Sequence, residues 1–152
     1  MRSDRSQLCE MLEGENDFPQ HLLYLYRRPN GPDENLIAWR GDRIDGLLTA
    51  TFQHDFSDNR DFGGFDLPQS PHALLTRMHV RHTARRHGIG QALAAQFAAE
   101  SNEHGCNFIG GYLDNTSDSM GRRAFFEHLG FTVGGFDSFG AHPDEVLASV
   151  AM

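Results

Sequence analysis

The sequence predicts a single α/β domain in which helices pack against a mixed β-sheet. Its 152 residues suffice for one hydrophobic core and are too few for two ordinary domains. Hydrophobic residues make up 39% of the chain and include 12 Phe, which supports a packed interior and argues against disorder. Helical and strand patterns alternate along the chain, as is typical of an α/β sandwich.

Hydrophobic periodicity and turn residues divide the first half of the chain into two helices, a hairpin and a long loop. In order, these are residues 5–13, residues 18–27, strands Asn35–Arg40 and Arg43–Gln53, and loop His54–His72. Helical spacing of apolar residues predicts the helices, and a Pro/Gly-rich turn at 28–32 stops the second. Gly41-Asp42 predicts a tight hairpin turn. A loop of about twenty residues is typical of a lid or mobile segment.

The second half predicts a strand, a helix, a strand, a helix and two final strands. In order, the segments are Ala73–Val80, Gly88–His104, Asn107–Asp114, Ser117–Leu129, Phe131–Phe136 and Glu145–Ala151. Ile89, Leu93 and Phe97 recur every four positions, as on the buried face of a helix. Gly105 and Gly130 follow the two helices, where glycine commonly ends a helix.

Charge and residue usage exclude several classes of protein. A net charge of −8 disfavours nucleic-acid binding, because an acidic surface repels phosphate. All 13 Lys and Arg residues are Arg, so a Schiff-base lysine and a Walker-type phosphate lysine are excluded. No run reaches the roughly 18 apolar residues of a membrane span. The polar start and two isolated cysteines predict a reducing, cytoplasmic setting without a membrane partner.

A cationic segment interrupts this acidic chain. No acidic residue stands between Asp66 and Glu100. The basic residues of that stretch include Arg77, His79, Arg81, His82, Arg85, Arg86 and His87. A local excess of positive charge in an acidic protein predicts a small anionic ligand.

Two glycines follow this basic turn and open a helix. The first amides of a helix lack internal partners and carry the positive end of its dipole. Gly88 and Gly90 leave room for an anion to approach that backbone. The segment therefore predicts a pyrophosphate site, with Arg85, Arg86 and Arg81 as side-chain partners. A dinucleotide-binding fingerprint is excluded because Leu93 stands where it needs a third small residue.

The remaining pattern, Arg85-x-x-Gly88-x-Gly90, resembles the R/Q-x-x-G-x-G/A pyrophosphate loop of the GNAT N-acetyltransferase superfamily. A second segment, Ala124–Phe131 with the sequence AFFEHLGF, is similar to the A-x-Y-E-x-x-G-F helix ending of that family. Together the similarities cover Leu74 to Phe131. The strand that usually opens the family fold is not evident before Ser6.

The resemblance implies one GNAT domain over residues 1–152, a three-layer α/β/α sandwich with a mixed, mostly antiparallel central sheet. It implies acetyl-CoA as co-substrate, no metal, and acetyl transfer to a primary amine of a small molecule or peptide in a ternary complex. The alternative is an acyl-CoA-binding module with weak or no catalysis, because Phe126 occupies the usual Tyr position. A phosphate-binding domain unrelated to coenzyme A is a third hypothesis. A homodimer would cover an open sheet edge.

The resemblance also assigns roles to residues. Contacts with the coenzyme are expected from Met78, His79, Val80, Arg85, Arg86, His87, Gly88, Ile89, Gly90, Gln91, Ser119 and Phe126. Main-chain groups of Met78 and Val80 would hold the pantetheine arm in a gap between the strands 73–80 and 107–114. Proton-transfer candidates are His79, Tyr112 and Ser119, with His72 and Asp114 as further bases.

Side chains alternate between the two faces of a strand, and this restricts which residues of the strand 73–80 could act as a base or bind a metal. Leu74, Thr76 and Met78 should share the face of Val80, and none of them titrates. His79 should face the opposite side, away from those three. His79 and His82, three apart, would not converge on a metal.

Two further features have open interpretations. The acidic loop could attract a cationic amine or could be a solvated loop with aromatic anchors; its members are Asp55, Asp58, Asp61 and Asp66, interleaved with Phe56, Phe62 and Phe65. Cys106 is interpreted as a small buried residue and not as a nucleophile.

Overall fold

Six strands and four α-helices make up the computed structural model, which describes residues 4–15, 33–85, 88–113 and 119–151. In chain order the elements are α1 (Asp4–Glu13), β1 (Glu34–Arg40), β2 (Arg43–His54), β3 (His72–Val80), α2 (Ile89–Glu103), β4 (Ile109–Tyr112), α3 (Ser119–His128), β5 (Thr132–Val133), β6 (Ser138–Ala141) and α4 (Pro143–Ala151). The helix predicted over 18–27 lies outside the described residues.

The strands form one sheet in the order β1-β2-β3-β4-β6-β5. The β3–β4 pair is parallel, and the other four neighbouring pairs are antiparallel. Parallel neighbours need a crossover connection, and α2 provides it. The predicted mixed, mostly antiparallel sheet is confirmed.

Helices cover both faces of this sheet. Leu48 and Leu75 belong to the largest core cluster, which also contains side chains of α2, α3 and α4. Their neighbours along the strands point the other way, since side chains alternate between faces. Leu47 packs with α1, and Leu74 packs with an aromatic cluster of Phe56, Phe62 and Phe108. The three-layer α/β/α prediction is confirmed.

A bulge in β3 changes which of its side chains share a face. Thr49 pairs with Arg77 whereas the next residue, Ala50, pairs with Leu75, so Thr76 is an extra residue on β3. Leu75 and Met78 therefore both contact the core beneath α2. The expectation that Leu74 and Met78 share a face is wrong, because simple alternation does not count the extra residue.

The prediction of a final strand over Glu145–Ala151 is also wrong. These residues belong to α4, which begins at Pro143. The last strand is Ser138–Ala141, which lies between the two segments predicted as final strands, and the preceding strand is only Thr132–Val133. Proline at the first helical position and acidic residues in the first turn favour a helix start. Glu145 also accepts a hydrogen bond from the His142 amide (2.9 Å), as in a capping box.

Gly130 ends α3 as predicted, and α4 lies directly against it. The Phe131 amide donates to the Phe126 carbonyl and the Gly130 amide to that of Glu127, which is a Schellman motif. Gly130 has φ +96°, and a Cβ there would lie 2.6 Å from Ser149 Oγ and 2.7 Å from the Glu145 carbonyl oxygen. Gly105 closes α2 with the same pattern of bonds and φ +76°, but a Cβ there would meet nothing within 4 Å.

We therefore expect Gly130→Ala to destabilise the fold more than Gly105→Ala. Both substitutions place a side chain in a left-handed conformation, which costs about 1 kcal/mol. Only Gly130→Ala also forces α3 and α4 apart, for a total loss of about 2–4 kcal/mol. Urea denaturation of the two variants measures the difference in the free energy of unfolding. Equal losses would show that α4 does not press on this turn.

Candidate functional site

The parallel strands β3 and β4 separate part-way along their length. They pair over Ala73–Leu75 and Ile109–Gly111, while β3 continues to Val80 beside β2. Among the described residues, no strand pairs with the far edge of Met78–Val80. A gap therefore opens between the two strands at their carboxyl ends.

A cavity of about 550 Å³ lies at the end of β3, within the usual range for small-molecule sites. Its walls come from the end of β3, the start of α2 and one side of α3. The lining residues are Met78, His79, Val80, Arg85, Gly88, Ile89, Gly90, Gln91, Arg122, Phe125 and Phe126. The structure thus brings together every predicted coenzyme contact whose side chain it describes.

The remaining predicted contacts fall outside what the structure describes. Arg86 and His87 are not among the described residues, and neither is Asp114, one of the predicted bases. Ser119 begins α3, but its side chain is not described. Arg122 and Phe125 line the cavity without having been predicted. Their positions on α3 carry no sequence signal of their own, since the family pattern specifies other residues of this helix.

Glycine is required at the start of α2 for two different reasons. Gly88 is the N-cap with φ +78°, a conformation that glycine adopts without steric cost. A Cβ on Gly90 would lie 2.9 Å from Phe125 Cζ, so Gly90 lets α3 approach α2 closely. The N-cap has no side-chain hydrogen bond and the first turn has no acidic residue. This helix terminus is therefore suited to attract an anion.

The two described arginines of the basic turn point in different directions. Arg85 lines the cavity, and its Nε donates to the Val80 carbonyl (3.0 Å). Arg81 turns towards β2, where its Nε and Nη2 donate to the Ile44 carbonyl (2.9 and 2.6 Å). Its Nε also lies 3.4 Å from Oδ1 of the buried Asp45. Arg81 anchors the end of β3, and the expectation that it joins the anion site is wrong.

His79 lies against a buried carboxylate on the α1 face of the sheet. Its Nε2 is 2.9 Å from Glu15 Oε1, and the exposed fractions of the two residues are 8% and 7%. The same Glu15 oxygen accepts a hydrogen bond from the His82 amide (2.6 Å). Glu15 was not predicted, because it is remote from His79 in sequence and only folding brings the two together.

The comparisons with known proteins agree with this architecture. The model of the acetyltransferase (GNAT) family matches residues 5–131. The chain belongs to the GNAT family. No curated protein matches it significantly.

Solved structures share the fold at low sequence identity. A protein from Desulfovibrio desulfuricans described as a GNAT-family acetyltransferase has a TM-score of 0.69 and 14% identity over 94% of each chain. An acetyltransferase from Thermus thermophilus has a TM-score of 0.63 and 16% identity, covering 91% of this chain and 90% of that one. An aminoglycoside 6′-N-acetyltransferase complexed with coenzyme A has a TM-score of 0.60 and 16% identity, with the same coverages. At these identities the likeness establishes the fold.

At the usual Tyr position of the GNAT pattern, Phe126 is part of an aromatic cluster. Its ring stacks on Phe139 with centroids 4.3 Å apart and meets Phe131 edge-on at 5.7 Å. Only 7% of the residue is exposed, yet it lines the cavity. Phe126 therefore belongs to both the hydrophobic core and the cavity wall. Its side chain has no proton to donate.

Tyr112, another predicted proton-transfer residue of this GNAT chain, does not line the cavity. Its hydroxyl donates to Asp61 Oδ2 and accepts from Asn59 Nδ2, both at 2.8 Å. Partial burial, reinforced by the Asp61 charge and opposed by the Asn59 hydrogen bond, raises the pKa of the Tyr112 phenol. Tyr112 thus stays protonated at neutral pH and anchors the acidic loop to the end of β4.

His72 also anchors this loop. Its Nδ1 accepts from the Phe56 amide (3.0 Å), and its Nε2 donates to the Pro68 carbonyl (2.7 Å). With both ring nitrogens occupied in a fully buried site, His72 is not available as a base. Phe56 and Phe62 are also buried, which supports the interpretation of a solvated loop with aromatic anchors.

A metal site and a membrane-spanning helix have no support among the residues that the structure describes. In these residues, no group of three or more His, Cys, Asp and Glu side chains is placed to hold a metal ion. The helices of this part of the chain include none that is long and apolar enough to cross a membrane.

Cys106 is buried and its Sγ contacts the Phe52 carbonyl at 3.3 Å. Burial raises the pKa of the Cys106 thiol, which disfavours the thiolate that a nucleophile needs.

We expect neither cysteine of the folded protein to react readily with a thiol reagent. Cys9 and Cys106 are both buried, and neither forms a disulfide in the part of the chain that the structure describes, so the reagent reaches them only when the protein opens. Titration with a chromogenic disulfide should detect two thiols when the protein is unfolded in urea. In native buffer the same thiols should react more slowly, by about 100-fold or more. Rapid native labelling of Cys106 would contradict its placement in the core.

Proposed function

We propose that this GNAT chain is an N-acetyltransferase that moves the acetyl group of acetyl-CoA to a primary amine of a small molecule or peptide. The observation that carries the proposal is the cavity at the end of β3, where the glycine-bearing start of α2 faces the parted strands. The coenzyme A complex of the structurally similar aminoglycoside acetyltransferase supports a coenzyme A-type co-substrate.

In this proposal the two ends of the cavity hold different parts of acetyl-CoA. The amides of the first turn of α2, with Arg85, bind the diphosphate. The unpaired edge of Met78–Val80 lies along the pantetheine arm and positions the thioester. The bound amine then attacks the thioester carbonyl, so that a C–N bond forms, the C–S bond breaks and the amine loses a proton. Holding the two reactants together contributes up to about 7–11 kcal/mol in ideal cases.

The leaving thiolate must gain a proton without help from Phe126. A thiol has an ordinary pKa near 8.5, so its thiolate leaves tolerably well and water can protonate it. The absence of a side-chain acid should slow the reaction without abolishing it. This argument favours a working enzyme over the binding-only alternative.

We expect the wild-type protein to release thiol from acetyl-CoA when offered a broad panel of primary amines. Phe126→Tyr should raise kcat by about 10- to 100-fold, because it adds a hydroxyl at the cavity wall that can protonate the thiolate. Steady-state thiol detection measures both effects. Turnover by the wild type with any amine rejects the binding-only alternative.

A thermal-shift measurement tests coenzyme binding separately from turnover. Acetyl-CoA at one hundred times its Kd should stabilise the fold by about 2.7 kcal/mol. If acetyl-CoA gives no shift while other phosphate ligands do, the proposed co-substrate is wrong.

His79 is the candidate for accepting the proton of the amine. A carboxylate that holds an imidazole fixes its orientation and stabilises its charged form, and Glu15 is placed to do this for His79. Tyr112 is engaged with the acidic loop away from the cavity. The pair His79–Glu15 thus fits the role of an oriented base better than Tyr112 does.

We expect Glu15→Gln to lower kcat by about tenfold and to move the acidic limb of the pH–rate profile to lower pH. Removing a negative charge favours the neutral form of a neighbouring imidazole, so the base remains active at lower pH. His79→Gln should cause the larger loss, and His82→Gln is the matched control, because that histidine is exposed and only its amide contacts Glu15. A loss of kcat with an unshifted profile would assign Glu15 a structural role only.

A further inference from the structure

We propose that Arg122 binds the diphosphate of the coenzyme from α3, on the opposite side of the cavity from the Gly88–Gly90 turn. This inference rests on the proposed function and deepens it, since it names a residue that selects phosphorylated acyl-CoA over phosphate-free thioesters.

The position of Arg122 is fixed by the helix it belongs to. Arg122 precedes Phe126 by four residues, so the two side chains lie on the same face of α3, and both line the cavity. The contact of Phe125 with Gly90 holds this helix against the first turn of α2. Arg122 and the start of α2 therefore face one space.

The charge of the cavity wall suits a diphosphate. Its lining contains two guanidinium groups, those of Arg85 and Arg122, and no Asp or Glu among the described residues. The chain as a whole has a net charge of −8, so an approaching polyanion is repelled until it reaches a local positive field. One guanidinium group can donate two parallel hydrogen bonds to phosphate oxygens, and these bonds are stronger than those from neutral donors.

The next residue of α3 provides a natural comparison. Arg123 is exposed, and its Nε lies 3.4 Å from Glu127 Oε1 on the same helix surface. Arg122 is half-buried in the cavity wall. Two adjacent arginines of the same helix thus have different surroundings, and only one of them lines the cavity.

A second cation on α3 has a consequence for specificity. A diphosphate held between α2 and α3 gains affinity from both helices, whereas a thioester that lacks phosphate gains nothing from Arg122. Removing the guanidinium should therefore weaken binding of coenzyme A selectively. It should leave binding of the pantetheine arm unchanged.

The test is equilibrium binding of three ligands to full-length Arg122→Gln, by calorimetry: coenzyme A, dephospho-coenzyme A and acetylpantetheine. We expect the Kd to rise about tenfold for coenzyme A and for dephospho-coenzyme A, which keeps the diphosphate, and to stay unchanged for acetylpantetheine. The salt dependence of coenzyme A binding should also become weaker, because one charge contact is lost. Arg122→Lys should recover part of the affinity, and Arg123→Gln should bind all three ligands as the wild type does.

Several outcomes would overturn the inference. Wild-type affinity of Arg122→Gln for coenzyme A, or an equal loss for acetylpantetheine, would show that Arg122 does not bind the diphosphate. A loss confined to coenzyme A would assign Arg122 to the ribose phosphate and would also overturn it. If Arg122→Gln does not fold, Arg122→Met, which keeps an unbranched side chain without the charge, is tested in its place, and wild-type affinity of that variant for coenzyme A rejects the proposal. Failure of the wild type itself to bind coenzyme A would instead overturn the proposed function.

Discussion

The site depends on the separation of β3 from β4. Two glycines of β4 allow aromatic rings of the core to pack closely against this strand. A Cβ on Gly111 would lie 2.5 Å from Phe139 Cζ, and one on Gly110 would lie 2.9 Å from rings of Phe56 and Phe62. Large rings therefore press on both faces of a short strand. Phe139 in turn stacks on Phe126, so the packing of β4 sets the position of the cavity wall on α3.

The sequence predicted those parts of the site that are local in the chain. The turn from Val80 to Gly90 could be interpreted because a basic turn, two glycines and an amphipathic helix follow one another directly. Glu15 and Arg122 could not be found in this way, since each joins the site through the packing of a different helix. The bulge at Thr76 was missed because a period-two pattern contains no signal for an inserted residue.

The C-terminal error has a different cause. Glu145–Ala151 is a short apolar run, and periodicity alone does not distinguish a buried strand from a helix of this length. The decisive signals were Pro143 and the His142–Glu145 cap at its start. The helix they begin packs on α2 and buries Val146 completely. Capping residues thus carried more information than the hydrophobic pattern.

Phe126 and His79, the positions considered for proton transfer, lie on opposite faces of the sheet, and this restricts how the two substrates of the proposed reaction can approach each other. Phe126 lines the cavity on the face covered by α2 and α3, whereas the imidazole of His79 bonds to Glu15 on the face covered by α1. In the proposed reaction, an amine that loses its proton to His79 would therefore approach the thioester from the α1 face, and the coenzyme would enter from the other. The two proposed reactants would meet where the strands separate, because elsewhere the paired strands divide the two faces of the sheet. With an aromatic ring in place of an acid on the coenzyme side, the proposed mechanism has a base for the amine and leaves protonation of the thiolate to solvent.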